Sequence, residues 1–189
     1  MLSRADSSMV RFPVWLALLL GLSAPALAAD IPIVTVCEVL NHLAAYHGKT
    51  IIVVGRLSGT DEGSWLDQEC EQKLITNGFS WPNTISMTYV RDSTAPPPAL
   101  PKHFAWNQEI LRKNLAQVQK TTKLRQAPER DMWSAQYGRL ETRKEFITVQ
   151  TPSGPMGYGF GHLNYAPAQL IFPEDGFCKF VAGECIPMR

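Results

Sequence analysis

The sequence predicts a mainly β protein with a few helices, an α+β fold in which short strands curl into a small closed barrel. The segment from Thr50 to Ser58 is β-branched and apolar, as expected for a strand buried on both faces. Residues 84–90 alternate between apolar and polar, which is typical of a half-buried strand. Asn77-Gly78 is the favoured two-residue turn of a β-hairpin. Together these features favour a curled antiparallel sheet.

Two stretches have the periodicity of amphipathic helices. The first begins at Thr35, whose hydroxyl can form a capping box with Glu38, and it ends at Gly48. Its apolar stripe consists of Val36, Leu40 and Leu43. The second covers residues 107–125 and follows a proline-rich connector at 93–101. Its apolar stripe consists of Leu111, Leu115 and Val118.

The order of these elements suits a five-stranded barrel of the oligonucleotide/oligosaccharide-binding (OB) type. We expect an N-terminal helix and a second helix between strands three and four. Gly55 predicts a bulge or a barrel bend in the first strand, because glycine otherwise weakens a strand. The alternative architecture is an α+β sandwich. Further strands are predicted within residues 61–81, 131–142, 145–150 and 168–172, the last being the final strand.

Residues 1–28 have the composition of a secretory signal peptide. Arg4 and Arg11 precede a short apolar run, and Ala28 ends an A-x-A cleavage site. The apolar run is short for a membrane span, which needs about 20 residues. We therefore expect residues 29–189 to form one exported domain, periplasmic or secreted, without a transmembrane segment after cleavage.

The four cysteines lie beyond the predicted signal peptide, at Cys37, Cys70, Cys178 and Cys185. An even number in an exported chain predicts two disulfides, for which three pairings are possible. Cys178 and Cys185 are close enough in sequence to join in a C-terminal tail, which leaves Cys37 for Cys70. No C-x-x-C pair is present, so the cysteines do not predict a zinc site. We expect neither a metal nor another cofactor.

A resemblance to known proteins rests on the segments "YHGKTIIVVGRLSGTDEGSWL", "NGFSWPNTISM" and "GFGHLNYAPAQLIF". These segments resemble a group of exported bacterial proteins of unknown function, and they cover most of the chain after the signal peptide. The strand that begins at Gly48 is similar to a strand of exported barrels of the OB type. The resemblance implies an OB-like barrel and export, and it implies no reaction.

A glycine-aromatic stretch at 154–165 is the most distinctive candidate site. Its glycines at 157, 159 and 161 do not have the G-x-G-x-x-G spacing of a dinucleotide-binding loop. In one interpretation, the aromatic rings fold over the barrel end as plugs. In the other, they form a platform in the loop between the last strands, where this fold often binds ligands. The predicted contact residues are Trp65, Trp81, Tyr158, Phe160, His162 and Tyr165.

We expect a binding or structural module of the bacterial envelope rather than an enzyme, with a protein or a glycan as partner. The sequence contains no G-x-S-x-G, S-x-x-K or H-E-x-x-H motif. A net charge of +1 argues against a general polyanion binder, so nucleic acid is not expected. One alternative is an envelope hydrolase, marked by a pocket that holds His162 beside an acid and a hydroxyl. The other is a polyanion binder that uses Arg112, Lys113, Lys120, Lys123, Arg125 and Arg130.

Overall fold

The computed structural model describes residues 31–88, 96–124, 132–143 and 145–188. The predicted signal peptide and the basic residues Arg125 and Arg130 lie outside these ranges. All cysteines and all predicted contact residues lie within them. In the described ranges, no helix has the length and apolar character that crossing a membrane requires.

The helices and strands of the described residues are numbered in chain order. The first half contains β1 (Ile33–Thr35), α1 (Val36–Asn41), α2 (Leu43–Tyr46), β2 (Thr50–Thr60), β3 (Gly63–Asp67), β4 (Ile75–Thr76), β5 (Phe79–Ser80) and β6 (Thr84–Thr88). The second half contains α3 (Gln108–Thr121), β7 (Met132–Thr142), β8 (Ile147–Thr151), β9 (Gly154–Tyr158), a 3₁₀ turn (His162–Asn164), β10 (Ala168–Ile171), β11 (Phe177–Val181) and β12 (Glu184–Pro187).

Five strands close into a barrel in the order β2-β3-β6-β10-β7, because β7 pairs with both β10 and β2. Neighbouring strands are antiparallel except β6 and β10, which are parallel. The helix α3 lies between the third and fourth barrel strands, β6 and β7. The predicted small α+β barrel is therefore confirmed, and its five strands are consistent with an OB-like barrel.

The strand β2 is buried on both faces, as its apolar sequence predicts. Ile51 and Val53 belong to the core inside the barrel. Ile52 and Val54 belong to a second core between the barrel wall and α3. Leu111, Leu115 and Val118 supply the helical side of this second core, as their spacing predicts. The strand β2 therefore contributes side chains to both cores. Complete burial of one such side chain contributes about 1.5–3 kcal/mol to stability.

The first helix begins as predicted but is shorter than predicted. Thr35 Oγ1 accepts a hydrogen bond from the Glu38 N–H at 3.3 Å and so caps α1. The expected single helix breaks at His42, where its own Nδ1 lies 3.1 Å from Glu38 O, the acceptor that a continuous helix would use. The His42 N–H bonds Val39 O instead. Gly48 follows α2 with φ +73°, in agreement with the predicted helix end.

The helix α1 lies at one end of the barrel, where two features fix its position. The Cys37–Cys70 disulfide joins it to the chain after β3. Gly55 allows close approach, because a Cβ there would lie 2.9 Å from Val36 Cγ2. Of the two alternatives predicted at Gly55, a bulge or a barrel bend, the bulge is wrong, because β2 pairs with β7 without interruption from Thr50 to Leu57.

Two strands follow β10, so the prediction that residues 168–172 form the final strand is wrong. β11 and β12 form a hairpin that pairs with β7 and covers the second core. The Cys178–Cys185 disulfide joins these strands, and with Cys37–Cys70 it confirms the predicted pairing. Sequence also missed β1, a short strand that pairs in parallel with β2.

The outer face of β6 differs from the prediction of a half-buried strand. Ile85 and Met87 face the barrel core as expected. Thr84, Ser86 and Thr88 on the other face are buried as well. The chain around Gly161 lies on Ser86, so residues far away in sequence cover this face. The covering segment belongs to the glycine-aromatic stretch and positions the candidate site.

Candidate functional site

The alternating glycines of the glycine-aromatic stretch face the body of the protein. A Cβ on Gly157 would lie 2.6 Å from Trp81 Cη2 and 2.7 Å from the Phe79 ring. A Cβ on Gly159 would lie 2.9 Å from Trp81 Cζ3. Gly161 lies on Ser86 and has φ +72°, a conformation that side chains rarely adopt. The glycines therefore serve backbone packing, and no phosphate-binding loop is formed.

Trp81 is the support of this stretch and does not belong to the contact surface that the sequence predicts. It is only 1% exposed, and its Nε1–H donates to Thr76 Oγ1 at 2.7 Å. Its ring packs against Phe79 and Phe146, with centroid distances of 4.8 and 5.0 Å. The hairpin of β4 and β5, which turns at Asn77-Gly78 as predicted, positions Phe79 for this contact.

The aromatic side chains of the glycine-aromatic stretch do not form a common plug at the end of the barrel. Tyr158 is 37% exposed and Tyr165 is 60% exposed. Phe160 is half-buried, and the Arg143 guanidinium lies 4.9 Å from its ring centroid. Arg143 also donates to Gly159 O at 2.8 Å, which fixes the start of the segment. The rings are therefore presented to solvent and to a neighbouring groove.

Backbone hydrogen bonds hold residues 159–166 in one compact turn, which we call segment 159–166. Gly159 N donates to Asn164 O at 2.7 Å, and Phe160 exchanges two hydrogen bonds with Ala166 at 2.7 and 3.0 Å. Leu163 and Asn164 both have positive φ, at 56° and 54°. Such a conformation is unusual for leucine and is maintained only where the surroundings determine it. The backbone that carries Phe160, His162 and Tyr165 is therefore held in one conformation.

A groove of about 530 Å³ lies between segment 159–166 and the loop at 60–63 that joins β2 to β3. Its floor is the outer face of β3 and β6, where Trp65 lies beside Ser86 in the strand register. Phe160, His162 and Tyr165 line it from segment 159–166. Four of the predicted contact residues thus meet in one groove. Tyr158 and Trp81 are not among the described residues that line it.

The groove lining includes a buried ion pair that sequence analysis missed, between Arg56 and Asp67. Arg56 Nε donates to Asp67 Oδ1 at 2.7 Å, and Ser58 Oγ donates to Asp67 Oδ2 at 3.1 Å. Arg56 Nη1 also donates to Lys123 O at 2.6 Å, which attaches the end of α3 to the barrel. A charge in a buried strand requires a partner. Arg56 within the apolar run of β2 was therefore a usable signal.

A contact between a histidine and a carboxylate connects the two sides of the groove. His162 Nε2 lies 3.0 Å from Glu62 Oε2, so segment 159–166 meets the loop at 60–63. Both side chains are substantially exposed, and such pairs contribute little to stability. The contact joins two lining residues of the groove that lie far apart in sequence. Sequence analysis did not predict the contact between Glu62 and His162.

The polar lining of the groove consists mostly of hydroxyl and amide groups. They are supplied by Thr60, Ser64, Gln68, Asn83, Thr84 and Ser86. Among the described lining residues, Arg56 is the only lysine or arginine, and it is bound to Asp67. Glu69 adds an exposed carboxylate at the rim. The groove therefore offers hydrogen bonds and aromatic rings but no cluster of positive charge.

Other candidate sites receive less support. The histidines, acids and cysteines of the described residues form no group of three or more that could hold a metal ion. On α3, Arg112 lies 3.8 Å from Glu184 and so is partly neutralised. The exposed Lys113 and Lys120 extend into solvent on the same helix. The basic face of α3 therefore points away from the second core, which the apolar face of the same helix contacts.

Comparison with known proteins identifies no relatives. No protein-family model, no curated protein and no solved structure matches this chain.

Proposed function

We propose that this protein is an exported binding module of the bacterial envelope, and that its ligand binds in the groove beside segment 159–166. The observation that carries the proposal is the convergence of Trp65, Phe160, His162 and Tyr165 around one cavity of ligand size. Export is supported by the two disulfides, since such bonds persist in oxidising compartments. Periplasmic or secreted localisation is part of the proposal.

The chemistry of the groove favours an uncharged, hydroxyl-rich ligand, and a glycan chain fits this description. An aromatic ring can stack on the apolar face of a sugar, while hydroxyl and amide side chains pair with the sugar hydroxyls. A nucleic acid would require several cations that neutralise phosphates. The single lining arginine is held by Asp67, and the rim is acidic. The charge of the groove therefore favours a neutral glycan over a nucleic acid.

Titration with neutral oligosaccharides tests this proposal directly. The probes are soluble fragments of cellulose, starch and chitin, with heparin as the polyanionic comparison, and binding is followed by calorimetry. Tyr165→Ala removes an exposed ring of the groove and should weaken binding about tenfold or more, as expected for an aromatic anchor. Tyr158→Ala is the matched control, because Tyr158 is exposed on the same stretch but lies outside the groove lining.

An equal loss of affinity in both variants would show that the ligand does not bind in the groove. Binding of heparin alone, with steep salt dependence, would contradict the uncharged ligand class.

A hydrolase is the second candidate, because the groove holds His162 beside the Glu62 carboxylate and near hydroxyl side chains. A carboxylate that orients a histidine is the arrangement of a general base. Ser64 lines the same groove and would be the candidate nucleophile. Hydrolysis of p-nitrophenyl acetate that is lost in both His162→Ala and Ser64→Ala would support this function. Unchanged turnover in either variant would exclude this site.

A further inference from the structure

The strand β8 has a free edge that no other described strand covers. It pairs with β9 on one side, and these two strands form a separate two-stranded sheet. Alternate residues of an edge strand present N–H and C=O groups to the open side. A two-stranded hairpin is only marginally stable, and a further strand would stabilise it. The hairpin therefore offers a site for strand addition.

One face of the same hairpin is apolar and exposed. Ile147 lies opposite Tyr158 and Val149 opposite Met156, with exposures of 55%, 37%, 37% and 44% respectively. The other face rests on the protein, because Gly157 packs on Trp81 and Phe79. The apolar face is thus held in a fixed orientation by its support and is adjacent to the free edge.

The edges of the large sheet are covered, in contrast to β8. At the β12 edge, the Gln108 side chain donates to Cys185 O and accepts from Cys185 N, both at 2.9 Å. At the β1 edge, Asn114 donates to Ile33 O at 2.8 Å. Proteins normally protect edges in such ways or with charges and prolines. The β8 segment "ITVQT" contains no charge, proline or glycine.

We propose that β8 pairs antiparallel with β8 of a second copy of this chain, around a two-fold axis at Val149. In this register Ile147 faces Thr151 of the second copy and Thr148 faces Gln150. The paired segment carries no charge, so identical strands meet without like-charge repulsion. The product is a four-stranded sheet, β9-β8-β8-β9, in which Ile147 and Val149 of both copies lie side by side on one face.

The pairing closes at two copies, which favours a dimer over a filament. A two-fold contact uses the same patch on both partners and leaves no second copy of that patch open. The outer strand of the new sheet is β9, which contains Pro155. Proline has no N–H to donate, so β9 cannot offer a complete ladder to a further strand.

Cysteine cross-linking of the exported protein tests the register of the β8–β8 pair. All four native cysteines are in disulfides, so an introduced cysteine is the free thiol. Val149→Cys places two thiols across the proposed axis and should give a covalent dimer under mild oxidation. Met156→Cys lies on the same face but on β9, three strand spacings of about 4.8 Å from its symmetry mate. It should remain monomeric on a non-reducing gel.

Sedimentation equilibrium then measures the non-covalent dimer. Val149→Lys opposes two cations at the axis and should raise the dimer dissociation constant tenfold or more, whereas Met156→Lys should change it by less than threefold. Val149→Thr keeps a β-branched strand residue and should dimerise, which separates pairing from a folding defect. A monomer at all concentrations, or efficient cross-linking through Met156→Cys, would overturn the proposed edge pairing. The latter outcome would indicate packing of the two apolar faces instead.

Discussion

Gly157 lies directly against the indole of Trp81, so that a Cβ at position 157 would come within 2.6 Å of Trp81 Cη2. Trp81 in turn is buried between Phe79 and Phe146. The contact holds the glycine-aromatic stretch on the barrel and sets the direction in which Tyr158 and Phe160 project. The glycines of the stretch thus share a role in close packing: Gly157 packs on Trp81, Gly159 on the Ala166 carbonyl and Trp81, and Gly161 on Ser86.

Gly157→Ala should therefore lower the free energy of unfolding by about 1–3 kcal/mol, because the added methyl group collides with two aromatic rings. Urea denaturation followed by circular dichroism measures this change. Ser153→Ala, in the turn of the same hairpin, should change it by less than about 0.5 kcal/mol. Equal stability of the glycine variant and the wild type would show that the stretch is not held on Trp81.

Because Arg56 and Asp67 form a buried ion pair, we expect the stability losses from substituting each of them to be strongly non-additive. Arg56→Met leaves the Asp67 carboxylate buried without its cation and should cost about 3–5 kcal/mol. The double variant Arg56→Met, Asp67→Leu removes both charges and should recover most of that loss. The measurement is a double-mutant cycle from urea denaturation. Additive losses in the double variant would contradict a direct pair.

The two disulfides should differ in their contribution to stability because they close loops of different length. Cys37 and Cys70 are 33 residues apart, whereas Cys178 and Cys185 are 7 apart. The chain-entropy relation gives about 4 kcal/mol for the longer loop and about 2.5 kcal/mol for the shorter one. Paired Cys→Ala substitutions at each bridge, compared by denaturation, test this order. A larger loss at the shorter loop would show that packing rather than chain entropy dominates.

Gln108 should be more important for the C-terminal hairpin than any exposed residue of α3. Gln108→Ala removes both hydrogen bonds to Cys185 and exposes the β12 edge. We expect a loss of about 1–3 kcal/mol and faster hydrogen exchange at the Cys185 amide. Gln117→Ala, at an exposed position of the same helix, is the control and should change neither. An unchanged rate of hydrogen exchange at the Cys185 amide in Gln108→Ala would show that Gln108 does not protect this edge.

Sequence was sufficient for the barrel because its strands are marked by local patterns. The unbroken apolar run of β2 and the alternation of Ile85 and Met87 each identify a strand from near neighbours alone. The spacing of the cysteines favoured the pairing that is observed. These features depend on residues close together in the chain.

Some errors arose where contacts between distant residues decide the structure, and others where a local break or turn lacks its usual sequence signal. Trp81 beside a hairpin turn could face solvent or core, and its burial depends on contacts with residues far away in sequence, Phe146 and Gly157. The helix break at His42 depends on one side chain that competes for a backbone carbonyl. The turn of the last hairpin uses Ala182-Gly183 with positive φ at both residues, without the asparagine or aspartate that usually marks such a turn. The conformation at these positions becomes evident only in the folded structure.

A ligand in the proposed site would lie beside Trp65, which lines the groove. The most direct measurement is nuclear magnetic resonance of the tryptophan indole N–H groups during titration with the neutral oligosaccharide panel, assigned with Trp65→Phe. We expect the Trp65 signal to shift with saturation, whereas the signal of Trp106, which packs in the core below α3, should stay in place. An unmoved Trp65 signal across the panel, or a larger shift at Trp106, would contradict the proposed site.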